Sequence, residues 1–262
     1  MDLGLKDKVV VVLASSRGLG RAAAEGFAAE GARVVIMGRH GDALKETARQ
    51  LSEATGNQVM HQRCDIMEEG ALELRLGMVA QELGGVDVLV NNSGGPRAGS
   101  FDEMDDKAWR DAFELTVMSY VRAIRIVLPG MRAKGGGRIV NLASTSTRQP
   151  IDGLLLSNVF RAGVGGLTKT LSNELAADNI LVNVIAPGRI ATDRLRELDE
   201  GAAKKRGISL EEVQKTWQGR IPLGRYGEPD ELARAVVWLG SWANTYVTGQ
   251  LLCVDGGLVR SI

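Results

Sequence analysis

The residues whose types and spacing best suit chemistry lie near the start of the chain, in residues 8–31, KVVVVLASSRGLGRAAAEGFAAEG. Four valines and Leu13 make a run fit for a buried strand. The chain then turns through Ala14-Ser15-Ser16-Arg17-Gly18-Leu19-Gly20 and continues as an alanine-rich stretch to about Glu30, stopped by Gly31. A strand, a glycine turn and a helix opening at that turn make an anion site. The first N–H groups of a helix have no partner within it, and the aligned peptide dipoles leave partial positive charge there. A phosphate is the ligand such a site suits.

Other residues with chemical potential sit where later apolar runs end, so the elements that position them come next. Residues 32–37 read as a second strand, leaving at Gly38-Arg39-His40, and 42–54 as a helix with Leu44, Ala48 and Leu51 on one face. A third strand at 58–64 ends at Asp65 and precedes a helix over 68–83; a fourth at 86–90 ends in Asn91-Asn92-Ser93-Gly94-Gly95-Pro96. A long helix is expected over 107–134, with Pro129 placed to interrupt it. A fifth strand (138–142), a helix (155–177), a sixth strand (181–185), a helix over 228–239 with Pro229 in its first turn, and a last strand (250–254) before Asp255-Gly256-Gly257 complete the series. The polar stretch 194–220 reads as a mobile helical insertion. Strands alternating with helices imply right-handed βαβ units, and unalternating apolar strands imply burial on both faces. The expected fold is α/β: a single Rossmann-type, doubly wound parallel sheet in one domain over 1–262. In such a sheet ligands lie outside the carboxyl ends of the strands, near the switch point.

The totals exclude several classes of function. The chain has 262 residues, 44% apolar and 24% charged, ordinary values for a soluble globular domain. With 32 basic and 32 acidic residues there is no electrostatic drive toward nucleic acid or an anionic membrane, and neither is expected as a partner. Cys64 and Cys253 form no CxxC pair, so neither a disulfide framework nor a metal site is expected, and a reducing compartment, the cytoplasm, is. The N-terminus, MDLGLKDK, lacks the basic and apolar regions of a signal peptide, and no apolar run is long enough to span a bilayer.

The strand-end residues carry a family resemblance. The chain resembles the short-chain dehydrogenase/reductase family over nearly its whole length, nearest its 3-oxoacyl-acyl-carrier-protein reductase members. The matching motifs are the glycine turn Ala14 to Gly20, Asn91-Asn92-Ser93-Gly94 for Asn-Asn-Ala-Gly, the strand-five segment Gly137-Arg138-Ile139-Val140-Asn141-Leu142-Ala143-Ser144, Pro187-Gly188 with Thr192 four residues on, and the closing Asp255-Gly256-Gly257. A lone glycine motif is weak, but five in order, each after an expected strand, are specific.

The resemblance implies a dinucleotide held by Ser15, Ser16, Arg17, Gly18, Leu19 and Gly20 at the turn. It implies Asp65 at the adenine, Asn91 with Ser93 and Gly94 along the floor, and Pro187, Gly188 and Thr192 at the nicotinamide. Each has a plain reading beside it: Asp65 as a helix cap, Asn91 as a turn residue, Thr192 as an N-cap. Ala14-Ser15 stands where the family has Thr-Gly, so Ser15 must tolerate or reshape a turn usually given to glycine. NAD-binding members place an acid at the end of the second strand. Here Gly38 is followed by Arg39, with Arg17 near the same pocket, and two guanidinium groups favour a 2′-phosphate. NADP(H) is therefore expected, with Arg39 as a merely solvated residue the alternative.

The catalytic positions depart most. The family uses a Tyr to exchange the proton, a Lys four residues later to lower the phenol pKa and hold the ribose, a Ser to polarise the carbonyl and an Asn to position a relay water. By register, Ser144 keeps the serine position, Ser157 and Arg161 replace Tyr and Lys, and Thr116 falls where Asn is usual. A serine hydroxyl is a far weaker acid than a phenol, and arginine does not surrender its proton, so Arg161 is expected to keep only the Lys role of holding ribose hydroxyls. Tyr120, Tyr226 and Tyr246 fall outside the site by register. Asp152 after strand five either faces the cleft or is an exposed loop residue, and Arg148 either meets an anionic substrate or is solvated.

Two readings follow. One is an NADP-dependent oxidoreductase with an atypical active site, acting on a small carbonyl or alcohol. The other is a non-catalytic NADP(H)-binding sensor or assembly partner. An S-adenosylmethionine methyltransferase on a similar sheet is disfavoured by Gly38-Arg39, where that class wants an acid. By resemblance, 194–220 is the substrate lid and the protein is a homotetramer or homodimer.

Overall fold

In the computed structural model, which describes residues 1–261, seven parallel strands form one sheet. They are β1 (Val9–Val12), β2 (Arg33–Gly38), β3 (Val59–Arg63), β4 (Val88–Asn91), β5 (Gly137–Leu142), β6 (Ile180–Pro187) and β7 (Leu251–Val254). Their order is β3-β2-β1-β4-β5-β6-β7, every neighbour parallel. From β1 the chain builds outward to β3 and then returns to place β4 on the other side of β1. The switch point thus falls between β1 and β4, beside the glycine turn.

The valine run explains the two-sided burial. Side chains alternate along a strand, so Val10 and Val12 join one apolar cluster and Val9, Val11 and Leu13 the other. On the first face lie α1 (Gly18–Ala29), α2 (Gly41–Thr55) and α9 (Pro229–Leu239), through Phe27, Leu44, Leu51 and Val236. On the second lie α3 (Ala71–Glu82) and α5 (Ser119–Ala133), through Leu72, Leu76, Ile124 and Met131, and α6 (Leu155–Glu174), through Leu167 and Leu171.

The long helix expected over 107–134 is broken at a different place than Pro129, which sits inside α5. A helix α4 (Asp106–Phe113) runs into a single π turn, Glu114–Met118, before α5. Two hydroxyls reach back along the chain at this turn. Thr116 Oγ1 donates to the Ala112 carbonyl at 2.5 Å and Ser119 Oγ to that of Leu115 at 2.7 Å. The polar insertion becomes two helices, α7 (Asp193–Arg206) and α8 (Leu210–Gln218), the latter opened by a Ser209/Glu212 capping box. Both gather around Arg189. The Arg189 guanidinium pairs with buried Asp199 of α7 and stacks 4.0 Å from the Trp217 ring of α8. The Tyr226 hydroxyl donates to the other Asp199 oxygen at 2.9 Å, and burial, the largest cause, pushes this phenol up to about 12.

The α1–α9 contact is the tightest helix pair on the first face. A Cβ on Gly240 would lie 2.7 Å from Phe27 Cζ, and Phe27 has no exposed surface. Phe27→Ala is expected to lower the unfolding free energy by about 3–5 kcal/mol in urea titration. A loss under about 1 kcal/mol would show that this layer is not packed as described.

Candidate active site

A cleft of about 880 Å³ crosses the carboxyl ends of the strands at the switch point. At its centre, α1 begins at Gly18 with no side-chain cap on Arg17 and no acid in its first turn, so its leading N–H groups are left for a ligand. Three contacts hold the turn. Asn92 Nδ2 donates to Ala14 O at 3.0 Å, Thr47 Oγ1 of α2 donates to Ser16 O at 2.9 Å, and Gly20 packs so closely that a Cβ would lie 2.8 Å from Ala14 O.

Ser16, Arg17, Gly18 and Leu19 line the cleft; Ser15 does not. Fully buried, Ser15 donates from its hydroxyl to Val12 O at 2.6 Å and accepts from Met37 N–H at 3.1 Å. Its side chain prolongs the β1–β2 ladder. Of the two expectations for Ser15, tolerating a glycine-type turn or reshaping it, the backbone takes the second: the left-handed residues are Ala14 (φ 46°) and Gly18 (φ 58°). Gly20 likewise supports the turn from behind rather than lining the cleft.

At the adenosine end, Gly38 ends β2 and Arg39, exposed, borders the cleft with His40, Cys64 and Asp65. Asp65 is both a turn residue, accepting from Met67 N–H at 3.0 Å, and a cleft residue. Arg17 approaches Asp193 of α7 to 3.7 Å, both largely exposed, and Arg194 of the same helix reaches Pro96 O across the cleft at 3.5 Å.

At the opposite end stand Ser93, Gly94, Ser144, Pro187, Gly188 and Thr192. Ser144 Oγ accepts from Ser146 N–H at 3.1 Å, which leaves its proton free to donate. Thr192 is both cleft residue and N-cap, accepting from Leu195 N–H at 3.3 Å. The closing Asp-Gly-Gly braces this end: a Cβ on Gly188 would lie 2.5 Å from Asp255 Cβ. Asn91 lies beneath the floor, fully buried, donating to Asn141 Oδ1 at 2.8 Å, and Asn141 donates to Thr168 Oγ1 at 2.8 Å.

Three catalytic positions fall outside the cleft lining. Thr116 is fully buried with its hydroxyl spent on Ala112 O, so its side chain is not available to a relay water. Ser157 is half-buried on α6 and does not border the cleft. Arg161 is buried and turned inward. Its Nη1 donates to Leu142 O at 2.6 Å and Tyr120 Oη at 3.0 Å, and its Nη2 to Ser93 Oγ at 3.3 Å and Gly94 O at 3.4 Å. Among the described residues, no carboxylate pairs with it. The expectation that its guanidinium holds ribose hydroxyls is corrected, because these four protein acceptors already take its Nη1 and Nη2 donors. Asp152 is exposed and away from the cleft, and Thr147 and Arg148 line a separate cavity of about 240 Å³ between α6 and β7.

The family profile described as enoyl-(acyl carrier protein) reductase matches residues 13–259. The chain belongs to the short-chain dehydrogenase/reductase family. A 3-oxoacyl-[acyl-carrier-protein] reductase of Chlamydia trachomatis is 33% identical over 254 residues, 97% of this chain and 98% of the relative. Among solved structures, L-sorbose reductase from Gluconobacter frateurii, complexed with NADPH and L-sorbose, is 37% identical with TM-score 0.94 over the whole of both chains. An NADPH-bound short-chain oxidoreductase from Pseudomonas aeruginosa PAO1, described as containing an atypical catalytic centre, is 29% identical with TM-score 0.85, covering 98% of this chain and 100% of that one.

Sequence register hides some of what a short-chain dehydrogenase/reductase site needs here. Asn92 is the tie between two cleft walls, and Tyr120, set aside by register, is a direct partner of Arg161. Its one sequence signal is position: it follows Thr116 by one helical turn. Tyr120 is fully buried and donates to Leu142 O at 2.8 Å, so it supports Arg161 from behind the cleft.

Cys64 lies at the adenosine end with burial, then Asp65, pushing its thiol up to about 11. A raised thiol pKa favours the neutral form, so at pH 8 about one molecule in a thousand carries the thiolate. Native protein is therefore expected to resist iodoacetamide at Cys64 at pH 8 and to react fully once unfolded, read by peptide mass spectrometry. Rapid native alkylation would contradict this environment.

Proposed function

We propose that this protein is an NADP(H)-binding oxidoreductase that interconverts a carbonyl and an alcohol on a small molecule without the family's Tyr/Lys acid pair. One observation carries the cofactor: Arg17 and Arg39 flank the adenosine end of the cleft and no acid stands at the end of β2. The residues fit a dinucleotide with a 2′-phosphate. The uncapped start of α1 suits the pyrophosphate, and an added Cβ at Gly94 would meet only open space on the cleft side. The L-sorbose reductase and the Pseudomonas oxidoreductase, both solved with NADPH, support the same reading.

When bound, NADP(H) supplies or accepts the hydride. Ser144 donates its free O–H to the carbonyl oxygen and stabilises the charge that develops there. Neither Ser157 nor Thr116 enters this step, and the proton comes from water. Holding the reactants together accounts for much of the acceleration when no strong acid is present. The segment 194–220 acts as a lid, its placement supported by Leu195 and Leu198 of α7 in the cleft wall. Assembly as a homodimer or homotetramer through α5, α6 and β7 is supported by exposed Val159 and Leu252 and, at the end of α4, Phe113. Two free cysteines accord with action in the cytoplasm.

A second reading, binding without turnover, is favoured by the inward-turned Arg161 and by the fully buried Tyr120, which leave no phenol–cation pair in the cleft.

NADPH is expected to bind at least tenfold more tightly than NADH, and Arg39→Ala to weaken NADPH about tenfold while leaving NADH unchanged. Tighter NADH binding in a fluorescence titration would overturn the cofactor assignment. Across aldehydes, ketones, sugars and 3-oxoacyl thioesters, turnover is expected with at least one class and Ser144→Ala is expected to lower kcat about 100-fold. Stoichiometric NADPH binding with no turnover on any class would favour the second reading.

A further inference from the structure

Two departures from the family pattern touch each other. Ser93 stands where the family has Ala and Arg161 where it has Lys, and Arg161 Nη2 donates to Ser93 Oγ at 3.3 Å. The two lie 68 residues apart in the chain, on the turn after β4 and on α6. They differ in access: Ser93 lines the cleft and Arg161 does not.

A hydroxyl has one proton and two lone pairs. Ser93 Oγ spends a lone pair on the guanidinium, so its proton must point elsewhere. Among the described residues it meets no protein acceptor for that proton. A cation bound to the oxygen also strengthens the O–H as a donor. The result is a directed, polarised hydroxyl in the wall of the cleft, next to Gly94 and on the side of Ser144.

Arg161 in turn is built to stay where it is. Tyr120 Oη accepts from Nη1 at 3.0 Å while donating to Leu142 O at 2.8 Å, and the same carbonyl accepts from Nη1 at 2.6 Å. Nη2 is divided between Ser93 and Gly94 O. A buried guanidinium held only by neutral acceptors is costly to keep. Here two of its contacts lead to the cleft, Ser93 Oγ and Gly94 O, and of these only Ser93 carries a proton to pass on.

We propose that Ser93 has taken over the grip on the sugar hydroxyls of the cofactor's nicotinamide half, with Arg161 acting behind it as a positioning residue. This rests on the NADP(H) reading above. The ligand chemistry is a ribose hydroxyl oxygen accepting from Ser93, in place of a direct ammonium contact.

The test is binding, not turnover. Dissociation constants for NADPH and for adenosine 2′,5′-bisphosphate, which lacks the nicotinamide half, are measured by calorimetry on the wild type, Ser93→Ala, Ser93→Thr, Arg161→Met and the double variant Ser93→Ala/Arg161→Met. Ser93→Ala is expected to weaken NADPH about tenfold and to leave the bisphosphate within about twofold, while Ser93→Thr, which keeps the hydroxyl, retains most NADPH affinity. The double variant is expected to bind NADPH no more weakly than Ser93→Ala, because Arg161 acts only through that hydroxyl. Unchanged NADPH affinity in Ser93→Ala, or losses that multiply in the double variant, would overturn the assignment. If Arg161→Met does not fold, the Ala/Thr comparison at Ser93 decides alone. Wild-type protein that binds neither ligand would sink the NADP(H) reading, and this inference with it. Tight bisphosphate binding with an unaffected Ser93→Ala would sink this inference only.

Discussion

The cleft depends on how closely α1 approaches the end of β1. Gly20 lets the helix press on the turn at a distance no side chain would permit, and Asn92 and Thr47 hold the turn's carbonyls from either side. The free amides at the start of α1 are thereby aimed across the switch point, where the order of strands leaves a gap between the β2 and β4 loops. Ser15 belongs to the same device. By bonding Val12 and Met37 it locks β1 to β2 just before the turn. Ala14 then takes the positive φ that the turn requires. A hydroxyl thus compensates for a missing glycine by fixing the chain on one side of the bend.

The other end of the cleft is organised around a buried charge. Guanidinium groups are seldom buried without a carboxylate, because desolvation is costly and neutral acceptors return only part of it. The chain has a second such case in Arg138, which donates to four carbonyls including those of Ser241 and Asn244, lies over the Trp242 ring, and has its pKa lowered by burial. Arg138 is remote from the cleft and holds strand β5 to the loop after α9. Arg161 differs in having two acceptors, Ser93 Oγ and Gly94 O, in the cleft wall. The same chemistry serves structure in one place and borders the candidate site in the other.

Much of this was legible in the sequence, for reasons that can be named. Unbroken valine runs specify strands buried on two faces, and glycines at fixed spacing specify a turn under a helix, so the doubly wound parallel sheet and the end at which its cleft opens followed directly. Ser144, Thr192 and Gly188 were found because each follows a strand whose end is unambiguous. The directions of Ser15, Thr116 and Arg161 were not legible. Each depends on which partner lies within reach once the sheet has formed: the Met37 N–H from a neighbouring strand, Ala112 O across a π turn, Tyr120 Oη from a neighbouring helix. Register alone treats a side chain as pointing where its relatives point. It cannot see that a longer, forked cation will satisfy itself inside the protein when carbonyls and a phenol are closer than the cleft.

The division between what is kept and what has changed follows the sheet. The residues that border the turn and adenosine end of the cleft follow β1, β2 and β3 or stand on the first turn of α1, and their supports come from α2 and Asn92. Of the altered positions, Arg161 on α6 and Ser93 on the turn after β4 support one another, with Tyr120 of α5 behind them. Only the adjacent residues Asn92 and Ser93 join the two sets along the chain. Substitutions at 161, 120 and 93 can therefore trade partners among themselves without disturbing the uncapped start of α1. That separation explains how a chain can retain an intact dinucleotide cradle while the phenol and ammonium beside it are gone. The surviving cation in turn serves four acceptors together, Ser93 Oγ, Gly94 O, Tyr120 Oη and Leu142 O, which holds it inside the protein.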